Sequence, residues 1–278
     1  MTSHAFEIVN VFAETTFGGN PLAVFTAATG LSDTSMQALA RQMNLSETVF
    51  VLPSTQAAAR LRIFTPAHEL PFAGHPTLGA AAVLYGQQRV GEAFTLETNA
   101  GVIPIVHQDG LFTLQANPAR ERDAGLAIDA VAAMLSLPVD AIAAPPSWLD
   151  TGSEQLLIRA SSREAVLAAR PLPALFVRDA CLQPGRCVAY LWYEANAVAT
   201  VRLFYAQDGA VLEDPGTGSA CANLGGWCSL HQRYPLQWRV EQGEVLHRPN
   251  VLHLTVDAER RIYVGGRVIA LARGEFVL

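Results

Sequence analysis

"RIFTPAHELPFAGHPTLGAAAVLYG" occupies residues 62–86, and "RLFYAQDGAVLEDPGTGSACANLGG" occupies residues 202–226. Laid one over the other without a gap, Arg62 meets Arg202, Phe64 meets Phe204, Thr77 meets Thr217, Ala80 meets Ala220 and Ala82 meets Ala222. Each copy reads in the same order: an extended Arg-hydrophobic-Phe strand, a loop, a Gly/Pro turn, then small and apolar residues at helical density. Farther on, "FTLETNAGVIPI" (94–105) and "WRVEQGEVLHRPN" (238–250) each look like a strand entering a glycine turn. Matching order in constant register points to an internal duplication.

The two helical segments, 76–85 and about 217–230, carry no charge on any face. A helix that is small or apolar all round must be buried all round. In halves otherwise made of strands, that requires a sheet curled around the helix. The expected fold is therefore α+β, with two pseudo-repeated domains, each a barrel-like β-sheet wrapped around a central helix. They are expected at residues 1–118 and 119–278, with "NPARERDAG" (117–125) as the linker. Alternating or β-branched runs such as "FEIVNVF", "TVFVL", "RLRIF", "CVAYLWYE" and "VLHLTV" supply the strands. "SDTSMQALARQMN" (32–44) reads as a surface helix capped by Ser32 or Asp33, and "SREAVLAA" as another helix. Whether the last strand, "GEFVL", returns to the first domain is open.

Composition excludes several functions. Of 278 residues half are hydrophobic and 16% charged, enough for a large core, and the net charge of −6 argues against nucleic acid or anionic membrane as partners. All 19 basic residues are arginines. Without lysine there is no Schiff base to pyridoxal phosphate or a carbonyl substrate, and no Walker loop. The four cysteines form no C-x-x-C pair and the first residues show no signal pattern, so a reduced, cytoplasmic protein with packed rather than bridged thiols is expected. The uncharged stretches contain too much Gly, Pro, Ser and Asn for a membrane span.

Each central helix begins at a polar turn, Gly74-His75-Pro76-Thr77 in one copy and Asp214-Pro215-Gly216-Thr217-Gly218-Ser219 in the other. Pro76 suits a first helical turn, where its missing N–H costs nothing. A helix start offers unpaired N–H groups and partial positive charge, a seat for a carboxylate. If the duplicated domains face one another, two such seats meet across a cleft, with His75 at its mouth. Glu47, in "NLSETVFVLP", heads the apolar row of Val49 and Val51, and a partly desolvated carboxylate there has its pKa raised toward general acid–base values. On the residues alone, His75 as a packed or capping histidine and Glu47 as a rim glutamate paired with an arginine stay open. "HELPFAGH" is not a zinc motif, because His75 lies too far on and Pro71 forbids the helix. "GTGSAC" fits neither a dinucleotide fingerprint nor a nucleophile elbow.

"FGGNPLAV" (17–24), "NLSETVFV" (44–51), "FTPAHELPFAGHPTLGAA" (64–81) and "EDPGTGSA" (213–220) resemble the PhzF-like family of phenazine-biosynthesis isomerase-like proteins, in family order and across nearly the whole chain. The resemblance implies a diaminopimelate-epimerase-like fold and proton transfer without cofactor or metal. It also implies a homodimer and a small-molecule carboxylate substrate. It assigns Glu47, His75 and Asp214 to catalysis, with Asn20, Gly74, Gly218 and Ser219 binding substrate. In the family's namesake reaction a proton moves from C3 to C1 of trans-2,3-dihydro-3-hydroxyanthranilate; Glu47 would carry it, His75 and Asp214 would bind and polarise the amino and hydroxyl groups, and Ser219 with the helix-start N–H groups would hold the carboxylate. Two departures stand beside the expected pocket: Gly216 replaces a frequent alanine, and "CANLGG" replaces an "AxGxLG" style of helix.

Two other readings compete. A diaminopimelate-type amino-acid epimerase needs a thiol before the glycine turn of each domain, and by motif the slots here are Ala73 and Pro215. A ligand-binding protein without chemistry would be expected to have lost the ionisable set, yet Glu47, His75 and Asp214 are all present.

Overall fold

The structure, a computed structural model, describes residues Thr2–Leu278 and divides them into two compact units, one ending at Gln115 and resuming at Gly265–Leu278, the other Ala116–Val264. The first unit contains β1 (Ser3–Val11), β2 (Asn20–Phe25), α1 (Asp33–Met43), β3 (Glu47–Leu52), β4 (Ala59–Phe64) and β5 (Glu69–Leu70). It continues with α2 (Gly74–Gly86), β6 (Ala93–Thr98), β7 (Gly101–Gln108) and β8 (Leu111–Gln115). In the second lie β9 (Arg120–Asp123), α3 (Ile128–Leu135), β10 (Ser147–Asp150), β11 (Gln155–Arg159), α4 (Arg163–Ala168) and α5 (Pro173–Asp179). There follow β12 (Cys181–Gln183), β13 (Arg186–Ala195), β14 (Val198–Gln207), β15 (Ala210–Asp214), α6 (Gly218–Leu230), β16 (Leu236–Gln242) and β17 (Asn250–Val256). β18 (Ile262–Gly266) leads to β19 (Val268–Val277), which pairs antiparallel with β1 from Ser3↔Val277 to Val11↔Val268. The tail thus belongs with the first unit.

The strands of the two units repeat one wiring. In the first unit β1–β2 is antiparallel, β2–β3 parallel, β3–β4 antiparallel, β4–β6 parallel and β6–β7 antiparallel. In the second, β10–β11, β11–β13, β13–β14, β14–β16 and β16–β17 follow the same sequence of senses. The parallel steps require crossovers, which α1 supplies in one unit and α4 with α5 in the other. α2 and α6 occupy the same place in the wiring, each entered from a short hairpin strand (β5, β15) and each buried along almost its whole length. This is the barrel-like sheet around a central helix that charge-free helices demand. Small residues set the approach: a Cβ on Gly79 would strike Leu22 and Val11, and one on Gly225 would lie 2.7 Å from Ile262 and 2.8 Å from Leu254.

The repeated Arg-x-Phe has a shared role. Arg62 forks onto Glu69 (2.8 and 2.6 Å) and lies over Phe64; Arg202 forks onto Glu213 (3.0 and 2.7 Å) and lies over Phe204. Arg202 is buried, and its remaining donors reach the carbonyls of Val166, Leu167 and Ala169, which satisfies the charge inside the protein. These pairs correct the gap-free overlay. Arginine and glutamate are seven residues apart in the first unit and eleven in the second. The second hairpin is longer, so beyond it Gly74 corresponds to Gly218, His75 to Ser219 and Ala73 to Thr217.

Other expectations change too. The stretch 117–125 is no simple linker: its residues Arg120–Asp123 form β9, an exposed charged strand paired with β10. The α1 helix is capped by Ser32, which accepts from the Ser35 N–H, as expected. Cys181 and Cys187 are register partners across the β12–β13 hairpin and are joined as a disulfide, contrary to four packed thiols. Cys221 and Cys228 are free and buried. No helix among the described residues is long and apolar enough to cross a membrane.

Candidate active site

Two clusters form, one at the start of each central helix. In the first unit, the parallel β2–β3 pair sets Leu22 opposite Glu47, so Asn20 and Pro21 lie beside the β3 entrance. Asn20, 1% exposed, accepts from the Ser46 hydroxyl at 3.1 Å and so ties the residue preceding Glu47. The extended Ala73 opens α2, which places His75 at its second position. The imidazole is buried and hydrogen-bonded to the Pro21 backbone carbonyl, to which it can only donate; burial is the larger influence and pushes its pKa down to about 3. The ring is therefore neutral, with Nδ1–H toward Pro21 and the Nε2 lone pair 3.5 Å from Glu47 Oε2. The Glu47 side chain keeps 18% exposure. A carboxyl that meets both solvent and a buried acceptor nitrogen can hold a proton against His75 and release it outward.

In the second unit, Asp214 ends β15 and accepts from the Thr217 hydroxyl. Gln242 braces that turn: its amide donates to the Asp214 carbonyl (2.8 Å) and to Thr217 Oγ1 (3.0 Å), while its oxygen accepts from the Thr217 N–H (3.1 Å). Gly218 and Ser219 then open α6, whose first-turn N–H groups have no partner within the helix. Gln155 donates to Ser219 Oγ at 3.0 Å, and Asn223 joins Gln155 at 2.9 Å. On β13, Tyr190 is fully buried and its hydroxyl finds no hydrogen-bond partner among the described residues. Burial first, with the neighbouring Asp214 carboxylate adding to it, holds that phenol protonated. The structure thus brings Asn20, Glu47, Gly74 and His75 together in one unit, and Asp214, Gly218 and Ser219 in the other. Gln155, Gln242 and Tyr190 carry no motif and are placed by strand register, while Asn223 on α6 is placed by its bonds to Thr151, Ser153 and Gln155.

The repeat is chemically lopsided. Thr48 stands opposite Phe64, and Ala189 opposite Phe204, so the second-unit equivalent of Glu47 is Val188. One unit offers a carboxyl–imidazole pair; its copy offers an aspartate, a serine and helix-start N–H groups. Among the described residues no group of three or more His, Cys, Asp or Glu side chains could hold a metal ion. Thiol chemistry has no place either: the slots before the glycine turns are Ala73 and, with the longer hairpin, Thr217 rather than Pro215. Burial pushes the Cys228 thiol up to about 12 and Cys221 higher still.

A family model described as PhzC-PhzF, phenazine biosynthesis-like protein, matches residues 9–274. The chain belongs to the PhzF family. It is 48% identical to an uncharacterized isomerase of Pasteurella multocida, across 99% of this chain and 94% of that protein. It is 33% identical to trans-2,3-dihydro-3-hydroxyanthranilate isomerase of Pseudomonas aeruginosa, over 99% of this chain and all of the relative. The crystal structure of a Bacillus anthracis phenazine biosynthesis protein of the PhzF family superposes with a TM-score of 0.88 at 22% identity, covering both chains fully, which bears on the fold. With named isomerases at such identity over the full chain, this PhzF-family protein is an isomerase.

The structure accounts for the glycine at 216. A Cβ there would collide with the side chain of Asn250, which is buried and donates to the Arg248 carbonyl at 2.9 Å. Asn250 fills the room an alanine methyl would take. Gly216→Ala is expected to cost about 1–3 kcal/mol of stability, and Asn250→Ala to recover most of that loss in the double variant. Urea unfolding of the four proteins in the cycle measures the coupling; strict additivity would separate the two positions.

Proposed function

We propose that this PhzF-family isomerase moves a proton on a small, unsaturated amino/hydroxy carboxylic acid without a cofactor, with trans-2,3-dihydro-3-hydroxyanthranilate as the first candidate. The observation that carries the reading is the Glu47–His75 pair: a half-buried carboxyl beside a neutral imidazole whose lone pair faces it. In this reading the Glu47 carboxylate takes the proton from C3, the ring double bonds shift, and the same carboxyl returns a proton to C1. His75 Nε2 accepts a hydrogen bond from the protonated Glu47 carboxyl between the two steps, so the carboxyl does not lose its proton to bulk water. Asp214, held by Thr217 and Gln242, binds the amino or hydroxyl function, and Ser219 with the Gly218 and Ser219 N–H groups receives the carboxylate. Support for a single proton carrier comes from Val188 in the mirrored slot, since a two-base exchange needs an ionisable group in each copy.

Proton NMR of the purified protein with this compound in D2O tests the proposal. The vinyl and C3 signals of the substrate are expected to disappear, with the proton taken from C3 retained at C1. An unchanged spectrum would discard this substrate.

A further inference from the structure

We propose that Gln155 is a positioning residue that turns the Ser219 proton outward, so that Ser219 presents a hydrogen-bond donor suited to an acceptor such as a carboxylate oxygen. This rests on Ser219 holding the substrate as proposed above, and it adds how the chain sets the polarity of that contact.

The argument begins at two backbone groups whose roles cannot invert. The Thr151 N–H can only donate, and it points to Asn223 Oδ1 at 2.9 Å; the Ser153 carbonyl can only accept, and it takes Asn223 Nδ2 at 2.8 Å. The Asn223 amide is thereby fixed in one orientation, with the Thr151 hydroxyl adding a second bond to Oδ1 at 2.7 Å. Its Nδ2 also reaches Gln155 Oε1 at 2.9 Å, so that atom is the glutamine oxygen. The Gln155 nitrogen then faces Ser219 Oγ at 3.0 Å and donates to it. Ser219 accepts on the inner side, which leaves its single proton to point away from Gln155. Asn223 and Gln155 are buried, so water does not compete for these bonds. Orientation therefore passes from main chain through two amides to one hydroxyl. At Ser219 that hydroxyl joins the first-turn N–H groups of α6, all donors, and the set suits an anion and disfavours an ammonium group.

Gln155→Glu reverses the relay without changing its shape. An ionised carboxylate there accepts from Asn223 and from Ser219 at once, which turns the serine proton inward. The protonated acid instead donates to Ser219 and restores the original polarity. With 2-aminobenzoate as probe, isothermal titration should show the variant binding more weakly than wild type by about tenfold or more above neutrality. That deficit should shrink as the pH is lowered toward about 5. A packing role for Gln155 gives a deficit that does not move with pH, and that result would overturn the proposal. Side-chain amide exchange in the ligand-free wild type, read by 15N NMR, needs no ligand and no variant. Slow exchange of Gln155 and Asn223 amide protons is expected, and exchange at the solvent rate for Gln155 also overturns the relay. Failure of the wild type to bind the probe, with slow amide exchange intact, would count against the carboxylate reading of the site and leave the relay standing.

Discussion

Glu47→Gln removes turnover and keeps binding. The substitution is nearly isosteric, and an amide at this position can still donate to the His75 Nε2 lone pair 3.5 Å away, so the helix start and the Pro21 contact are retained. What disappears is the ability to accept and return a proton. A positioned acid–base group contributes roughly 10²–10⁴ in rate, and with a single carrier both half-steps lose it. The turnover number is therefore expected to fall about 10³-fold or more, while the dissociation constant for substrate changes by about threefold or less, since a lost interaction made only during proton transfer leaves ground-state binding alone. Single-turnover kinetics and calorimetric binding on the same variant separate the two quantities. Activity within about tenfold of wild type would remove Glu47 from the mechanism and turn attention to Asp214. Loss of binding in parallel with loss of rate would mark Glu47 as a binding group.

The duplication was legible in the chain for a physical reason: two charge-free helices in a strand-rich sequence have to be buried on every side, and only a curled sheet can do that. The exact register was not. Ala, Gly and Thr recur so densely through 71–84 and 214–226 that more than one overlay finds matches, and the longer second hairpin is visible only once Arg62–Glu69 and Arg202–Glu213 are seen as the same ion pair. β9 leaves no strand signal in the sequence, because all four of its residues are exposed and show no alternation of buried and exposed positions. The closing strand pairs with Ser3–Val11 across almost the whole length of the chain, a contact that leaves no local trace. His75, Asp214 and Ser219 stand in runs whose composition marks a helix start, and Glu47 heads the apolar row of a strand. Gln155 and Asn223 meet from a strand and a helix far apart in sequence, and Tyr190 reaches the Asp214 turn only because Tyr190 faces Leu203 and Leu203 faces Asp214 across three strands.

Acid should destabilise this protein through His75 in a direction that reports where its proton sits. The imidazole has a folded-state pKa of about 3, against about 6.5 in an unfolded chain. Between those values the unfolded chain binds a proton that the native state refuses, so stability is complete above about pH 6.5 and is lost as the pH falls toward 3. The slope in that window is about 1.4 kcal/mol per pH unit for one proton. His75→Asn keeps a donor for the Pro21 carbonyl and deletes the titration. Urea unfolding of the two proteins across the window should show the variant losing stability less steeply by one proton, even though it begins less stable from the cavity left by the ring. The alternative is an ion pair, imidazolium with Glu47 carboxylate, and its linkage has the opposite sign. A histidine stabilised in its charged form raises stability at low pH and surrenders it as the pH rises through the folded-state pKa. Equal slopes in the two proteins, or a steeper one in the variant, would therefore place a proton on His75 and make the resting pair an imidazolium facing the Glu47 carboxylate.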